Sequence, residues 1–527
     1  MKSKRIVSLM LALGMMVGSL AACGGNDSNT NGSNTNGGST SDKSSSDADT
    51  TNGDEVSSEI DMNEDPYTVA IQVVTMPGVE MGDEEELENA INEITVPAIN
   101  AKIDIQYVWI SEVANTTSMA IASNEKIDLV HVATVSPLSS MVGSEMLYDM
   151  NEGNLLQNRG KGLVDLFGDL ISTGEVNGQQ LAIPAQVYNS NAQGLYYNKT
   201  LTDEAGITVP ETGNLDDLEK VLYEFHEKNP DVMGWFAGNG INIYLYWLRG
   251  YNGFGTNCAY GAVMDSDNPT VENFYKTEDF KDYCLRMYKW RQDGILQKDA
   301  TDTNAAQTYM EAHTLLCTPS SINQQLKAQT EAAADYEVGW MQMTDYEISN
   351  SSVTEYMWGI ASNSERPDKA MDMLNLLYTN EEVANLLKYG IQGEAYDFAD
   401  GSDKVIVTNG SHDIPFLYVG DASKMYIQSP NTEDFVSLRE AEEAQAKTSD
   451  LTDYMFDDTD FQTESALLSS TINEYLPGLQ NGMYESEEAT LAAIDEFNAK
   501  LEAAGINDVI AANQEQLDAH IAAKANK

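Results

Sequence analysis

Few residues in this chain are placed to do chemistry on their own. The five histidines (His131, His226, His313, His412 and His520) are scattered, and none falls in His-Glu-x-x-His or another close metal-ligating spacing. There is no Gly-x-Ser-x-Gly elbow for a nucleophilic serine, no Gly-x4-Gly-Lys-Ser/Thr loop to cradle phosphate, and no Gly-x-Gly-x-x-Gly turn for a dinucleotide. Cys258, Cys284 and Cys317 are widely spaced and lack a Cys-x-x-Cys pair, so they read as three buried thiols. With 84 Asp and Glu residues, a carboxylate pair for glycoside hydrolysis could be drawn almost anywhere, and spacing singles none out. The residues therefore predict no catalytic centre, no metal and no cofactor.

One thiol does have a chemical context. Cys23 follows Leu20-Ala21-Ala22, an apolar run from Ile6, and a basic start at Lys2, Lys4 and Arg5. A charged start, a short apolar stretch and small residues before a cut mark a secretory signal peptide over 1–22, and the run is too short to span a bilayer comfortably. A cysteine in this place resembles the lipobox of bacterial lipoproteins, which implies a lipid on Cys23. From Gly24 to Asp65 the chain is mainly Gly, Ser, Thr, Asn and Asp, with Ala48, Val56, Ile60 and Met62 as its only sizeable apolar breaks. Such a stretch buries too little apolar surface to offset the entropy of ordering, so 23–64 is expected to be a disordered stalk.

Charge excludes one class of partner. The formal net charge is −55, and losing Lys2, Lys4 and Arg5 with the signal peptide makes it −58. That field repels nucleic acid and anionic headgroups. The residues after Asp65 are too many for one core and suit two lobes.

The elements follow from periodicity. Tyr67–Val74, Lys102–Ile110 and Ile127–Ala133 read as strands, and the acidic residues at 83–86 open a helix ending near Pro97, giving a strand–helix alternation that predicts a parallel sheet. Asn214 caps a helix carrying Leu215, Leu218, Val221, Leu222 and Phe225. A further helix carries Phe280, Tyr283, Cys284 and Met287, and Pro367 begins another with Ala370, Met373, Leu374 and Leu377 inward. Glu382–Gly390 and the stretch through Leu491, Ile494, Phe497 and Leu501 to Gly505 are helical in the same way.

The order of these segments resembles the family 1 extracellular solute-binding proteins of ABC importers, the maltose-binding-like group. Its carriers are Asn177-Gly178-Gln179-Gln180-Leu181-Ala182-Ile183-Pro184, then Gly194-Leu195-Tyr196-Tyr197-Asn198-Lys199 with Ala205-Gly206-Ile207 and Pro210-Glu211-Thr212. Trp358-Gly359-Ile360-Ala361 with Pro367-Asp368-Lys369-Ala370, and Tyr389-Gly390-Ile391-Gln392-Gly393-Glu394-Ala395-Tyr396, continue it. The resemblance implies an α/β, two-lobe periplasmic-binding-protein-like fold with hinge crossings and a ligand cleft between lobes. It places the first lobe at 65–192 plus 359–415 and the second at 193–358 plus 416–527. It further implies a carbohydrate ligand, an oligosaccharide above all, ABC permease subunits as partners, no enzymatic turnover, and a site on the outer face of a bacterial cytoplasmic membrane of Gram-positive type. A surface-tethered glycoside hydrolase and a receptor for a non-sugar solute such as a peptide are the alternatives.

Sugars are held by aromatic faces under their C–H patches and by carboxylates and amides on their hydroxyls. Trp235, on a segment flanked by Gly234 and Gly238, is the foremost stacking residue, with Tyr244, Trp247 and Trp358 as further aromatics. Gln186 and Tyr188 at the hinge entry, and Glu394, complete the expected binding set. Trp109 and Trp340 lie at strand ends and fit either core or cleft; Arg249 would suit an acidic sugar.

Overall fold

The computed structural model describes residues 55–76, 81–133, 136–236, 252–265, 268–296, 306–412, 414 and 417–525. The signal peptide, Cys23 and the chain up to 54 lie outside these residues.

β1 (Tyr67–Thr75), α1 (Glu84–Ile99), β2 (Ala101–Trp109), α2 (Val113–Ala122) and β3 (Leu129–Ala133) form the expected alternation. β1 and β2 pair in parallel from Tyr67↔Ala101 to Thr75↔Trp109, and β1 pairs in parallel with β3. Asp83 caps α1 by accepting from Glu86 N at 3.1 Å. The helix passes Pro97 and stops at Asn100, whose left-handed backbone (φ 50°) closes it. So close to a C-terminus, proline removes one hydrogen bond without ending the helix.

After β4 (Ile183–Pro184) the chain crosses at 185–191 into β5 (Ala192–Asn198), α3 (Leu215–Lys228) and β6 (Met233–Trp235). Asn214 caps α3 in a reciprocal box with Asp217. α4 (Glu278–Gln292), β7 (Leu315–Ile322), α5 (Gln324–Ala333) and β8 (Val338–Gln342) complete this lobe's sheet, in the order β8-β5-β7-β6.

A second crossing, with the short α6 (Asn350–Thr354), returns the chain to β9 (Tyr356–Ile360). β9 pairs antiparallel with both β3 and β4, completing the first sheet in the order β2-β1-β3-β9-β4. α7 (Pro367–Thr379) and α8 (Glu381–Tyr389) cover that sheet, burying Met373, Leu374, Leu377, Val383 and Leu387 with Leu87 and Ile91 of α1. A small sheet of β10 (Tyr396–Phe398), β11 (Val405–Thr408) and β12 (Ile427–Gln428) follows.

The last crossing leads into α9 (Phe435–Gln445), then α10 (Gln462–Gln480), α11 (Glu487–Ala503) and α12 (Ile506–Ala525). Leu468, Ile472, Leu476, Phe497, Leu501 and Leu517 of these helices join the second lobe's core around Phe280, Cys284, Met287 and Trp290 of α4. Cys258, Cys284 and Cys317 are buried and unbridged, as expected. None of the described helices is long and apolar enough to cross a membrane.

Three expected boundaries move. The return to the first lobe begins at Tyr356 rather than Gly359, because Tyr356 and Trp358 are already paired to β3. The departure comes after Gln428 rather than at 416, since Leu417 and Val419 lie in the first core and β12 pairs with β11. Residues 55–64 are docked rather than disordered. Val56 and Ile60, two of the stalk's few apolar residues, pack on the first core. Arg159 donates to the Ser57 and Glu59 carbonyls at 3.0 Å each, and Glu64 pairs with Arg366 and Lys369.

Candidate functional site

In open α/β sheets, ligands bind beyond the carboxyl ends of the strands. Here that edge of the first sheet carries Thr75, Trp109 and Ala133, with Tyr356 opposite Ala133. On the second sheet, the crossings attach at the edge where Ile322 pairs with Ala192 and Gln342 pairs with Gly194. Both crossings thus link the same pair of edges.

The first crossing is held by α9. Ser190 N donates to Glu443 Oε1 at 2.7 Å, and Arg439 donates to the Ser190 carbonyl at 3.3 Å while pairing with Glu442 at 2.5 Å. The Arg439 guanidinium also sits 5.5 Å from the centre of the Tyr188 ring, which meets Phe435 edge-on. Burial pushes the Tyr188 phenol up to about 12. Among the described residues, the Tyr188 hydroxyl, Asn189 Oδ1 and Ser190 Oγ have no hydrogen-bond partner although each is buried. Three successive side chains at a crossing with unmet polar atoms are well suited to a hydroxyl-rich ligand. Gln186 is half-buried on the same stretch, and its carbonyl accepts from Asn189 Nδ2 at 2.9 Å. Gln186 and Tyr188 thus both lie on the first crossing.

Glu355 lies at the end of the second crossing, between α6 and Tyr356. It is partly exposed, and among the described residues its carboxylate forms no hydrogen bond or ion pair. Burial alone pushes its carboxyl up to about 7. The Tyr356 ring lies 4.3 Å from that of Tyr418, and the charge of Glu355 helps to raise both phenols. Spacing gave no sign of Glu355, because its isolation depends on segments that meet only in the fold.

Trp235 is not a cleft residue. It is 1% exposed, lies in β6, and packs edge-on against Trp290 with ring centroids 6.1 Å apart. Gly234 serves close packing instead of a loop, since a Cβ there would meet Ile295 at 2.8 Å and Leu222 at 3.1 Å. Trp358 is also core: fully buried beside His131, with its indole donating to the Tyr418 carbonyl at 3.0 Å. Tyr244 and Trp247, with Arg249, fall within 237–251, outside the described residues. Glu394 is exposed on a turn after α8, its carbonyl accepting from Asn409 and Ser411. It stands apart from the crossings. Trp340 is half-buried in β8 and donates to Glu331 at 3.0 Å. Trp109, by contrast, is 49% exposed at the carboxyl end of β2 and is the exposed aromatic of the first sheet's binding edge. No cluster of metal-binding side chains occurs among the described residues.

The fold matches known structures over its length. A crystal structure of the N-glycan transport solute binding protein from Streptococcus pneumoniae superposes with a TM-score of 0.72 at 21% identity, covering 86% of this chain and 98% of that one. The same protein in complex with Man1GlcNAc gives 0.63, again at 21% identity and over the same shares. An HMO-binding, ABC-transporter-associated solute binding protein from Bifidobacterium longum infantis gives 0.60 at 16% identity over 86% of this chain and 99% of its own. In sequence, a carbohydrate ABC transporter substrate-binding protein of S. pneumoniae is 24% identical over 445 residues, 82% of this chain and 87% of that protein. Residues 450–522 match a domain of unknown function, the α10–α12 region of the second lobe. Residues 82–384, more than half the chain, match bacterial extracellular solute-binding proteins, a family of receptors rather than hydrolases. The chain belongs to the bacterial extracellular solute-binding protein family.

Proposed function

We propose that this protein captures a carbohydrate, an oligosaccharide, between its lobes and delivers it to the permease of an ABC importer. The observation that carries the reading is the pair of sheet edges joined by crossings, one edge presenting an exposed Trp109 and the first crossing offering unmet polar side chains. Stacking faces and hydrogen-bonding groups in one recess are what a sugar requires. The named ligands of the relatives, N-glycans and HMO, support the same class. Trp109 and Tyr356 stand on strands three positions apart, about 14 Å at the usual strand spacing. That span is longer than a single sugar ring and favours an oligosaccharide. Ligand contacts to both lobes form only on closure, so binding selects the closed state. A lipid on Cys23 holds the receptor at the outer face of the membrane in this reading.

The test is binding without turnover. The mature chain from residue 23 should gain thermal stability with Man5GlcNAc or another neutral oligosaccharide, through mass action on the folded state, and release no product on long incubation. Stabilisation by peptides and by no glycan would favour the non-sugar alternative. Steady product formation would favour a hydrolase.

A further inference from the structure

Glu355 is a carboxylate that forms no hydrogen bond or ion pair among the described residues. It stands where the second crossing meets the binding edge of the first sheet, one residue before Tyr356. The side chain keeps some contact with solvent, yet protein encloses it closely enough to disfavour its charge. A carboxylate that keeps solvent contact at the edge where ligands of open α/β sheets bind is placed to meet a ligand's hydroxyls. We propose that Glu355 is the first lobe's acceptor for ligand hydroxyls, and that capture of a neutral glycan is tied to loss of a proton from this side chain. The inference rests on the carbohydrate reading above and adds a substrate preference and a pH response to it.

The chemistry is balanced simply. The free protein holds the carboxyl partly protonated near neutrality. On binding, its O–H bond breaks, the proton leaves to bulk solvent, and the carboxylate accepts hydrogen bonds from sugar hydroxyls. Bonds to an ionised acceptor are the stronger ones, so the ligand favours that form. A uronate at the same position would meet like charge, so a neutral glycan is preferred.

The surroundings offer little else that titrates in this range. Tyr356 on β9 and Tyr418 on the segment after β11 are held neutral, their phenols raised by burial. His131 on β3, 6.5 Å from Tyr356 between ring centres, is fully buried and driven down to about 4, so it stays neutral. Lys388 of α8 lies 5.6 Å from the Tyr418 ring centre and donates to the Leu417 carbonyl. None of these forms an ion pair with Glu355.

Calorimetric titration of the mature chain with Man1GlcNAc, Man5GlcNAc and a set of neutral α-glucan and galactoside oligosaccharides tests the proposal. For a glycan that binds, affinity should be about tenfold weaker at pH 6 than at pH 8, as a group that titrates near 7 and must ionise demands. At pH 7, titrations in buffers of different ionisation heat should show release of about half a proton. Glu355→Gln, isosteric and uncharged, should bind more weakly at pH 8 and lose the pH dependence while melting normally. Closure around Glu355 without hydroxyl contacts would raise its carboxyl further and make binding tighter at pH 6. That result, a flat profile, or a Glu355→Gln protein that keeps the tenfold change would each overturn the proposal and leave carbohydrate capture standing. Failure of every glycan at both pH values would overturn the carbohydrate reading and this proposal with it.

Discussion

Two tryptophans divide the roles that an aromatic can play in such a receptor. Trp235 fills the second lobe's core against Trp290, so Trp235→Ala leaves a large cavity and should cost about 3–5 kcal/mol in thermal or denaturant unfolding. Glycan affinity at a temperature where the variant is folded should be preserved. Trp109 is half in water at the sheet's binding edge, and Trp109→Ala should leave unfolding within about 0.5 kcal/mol of the parent. If it stacks on the ligand, affinity should fall by about 2 kcal/mol, roughly thirtyfold. A large drop in melting temperature for Trp109→Ala, with affinity unchanged, would reverse the assignment. Sequence could not separate these two residues. Glycines beside Trp235 look the same whether they loosen a loop or let Leu222 and Ile295 approach, and only the three-dimensional neighbours tell which.

At the level of elements, the sequence was most legible where one local signal decides the outcome. Asn214 with its box, Pro367 at the first turn and Gly390 at a positive φ each mark a helix end that the fold respects. The strands of the first sheet were equally plain, being β-branched runs between breakers. α12 was not read, because its buried Ile506, Val509, Asn513 and Leu517 form a sparse stripe closed by contacts from α10, α11 and the short strand Val271–Glu272. The docking of 55–64 escaped for a similar reason: its partners include Arg159 and Arg366, which are 100 residues from Glu59 and 302 from Glu64 in sequence. Arg159 is the centre of that docking, bound to two carbonyls of the segment and to the buried Asp372. Arg159→Ala would strand the Asp372 carboxylate and should cost about 3–5 kcal/mol, with earlier proteolytic cutting near residue 58. Normal melting and no new cut would show that the segment merely rests on the lobe.

The same docking gives the whole molecule an acid-sensitive joint. Hydrogen bonds from Arg366 and Lys369 hold the Glu64 carboxyl down to about 2. A carboxyl depressed in the folded state stabilises above its unfolded value near 4.5, and that stabilisation is lost as pH falls toward 2. Melting curves of the parent and Glu64→Gln should therefore differ at pH 7 and converge between pH 4.5 and 2. A gap that stays constant with pH would mean that Glu64 acts through packing alone. At the largest scale, Cys23→Ala should release the mature domain to the medium or leave an uncleaved precursor, as followed by membrane fractionation. Unchanged retention of mature-length protein would remove the lipid anchor from the proposal. The two-lobe plan could be read from the succession of motifs, but the lobe boundaries could not. Strand pairing sets those, and β12 returns to the first lobe by pairing with β11, a choice invisible in its two residues.

The docked segment also settles which half of the receptor would feel a pull from its N-terminal side. Tension arriving at Glu55 would reach the Val56 amide bonded to the Gly153 carbonyl, the Arg159 bonds and the Glu64 pairs before it reached β1. These contacts would act as a strap on the first lobe, taking up such a load before the sheet does. Were Cys23 lipidated as proposed, the pull would thus enter through the first lobe and leave the second free of load.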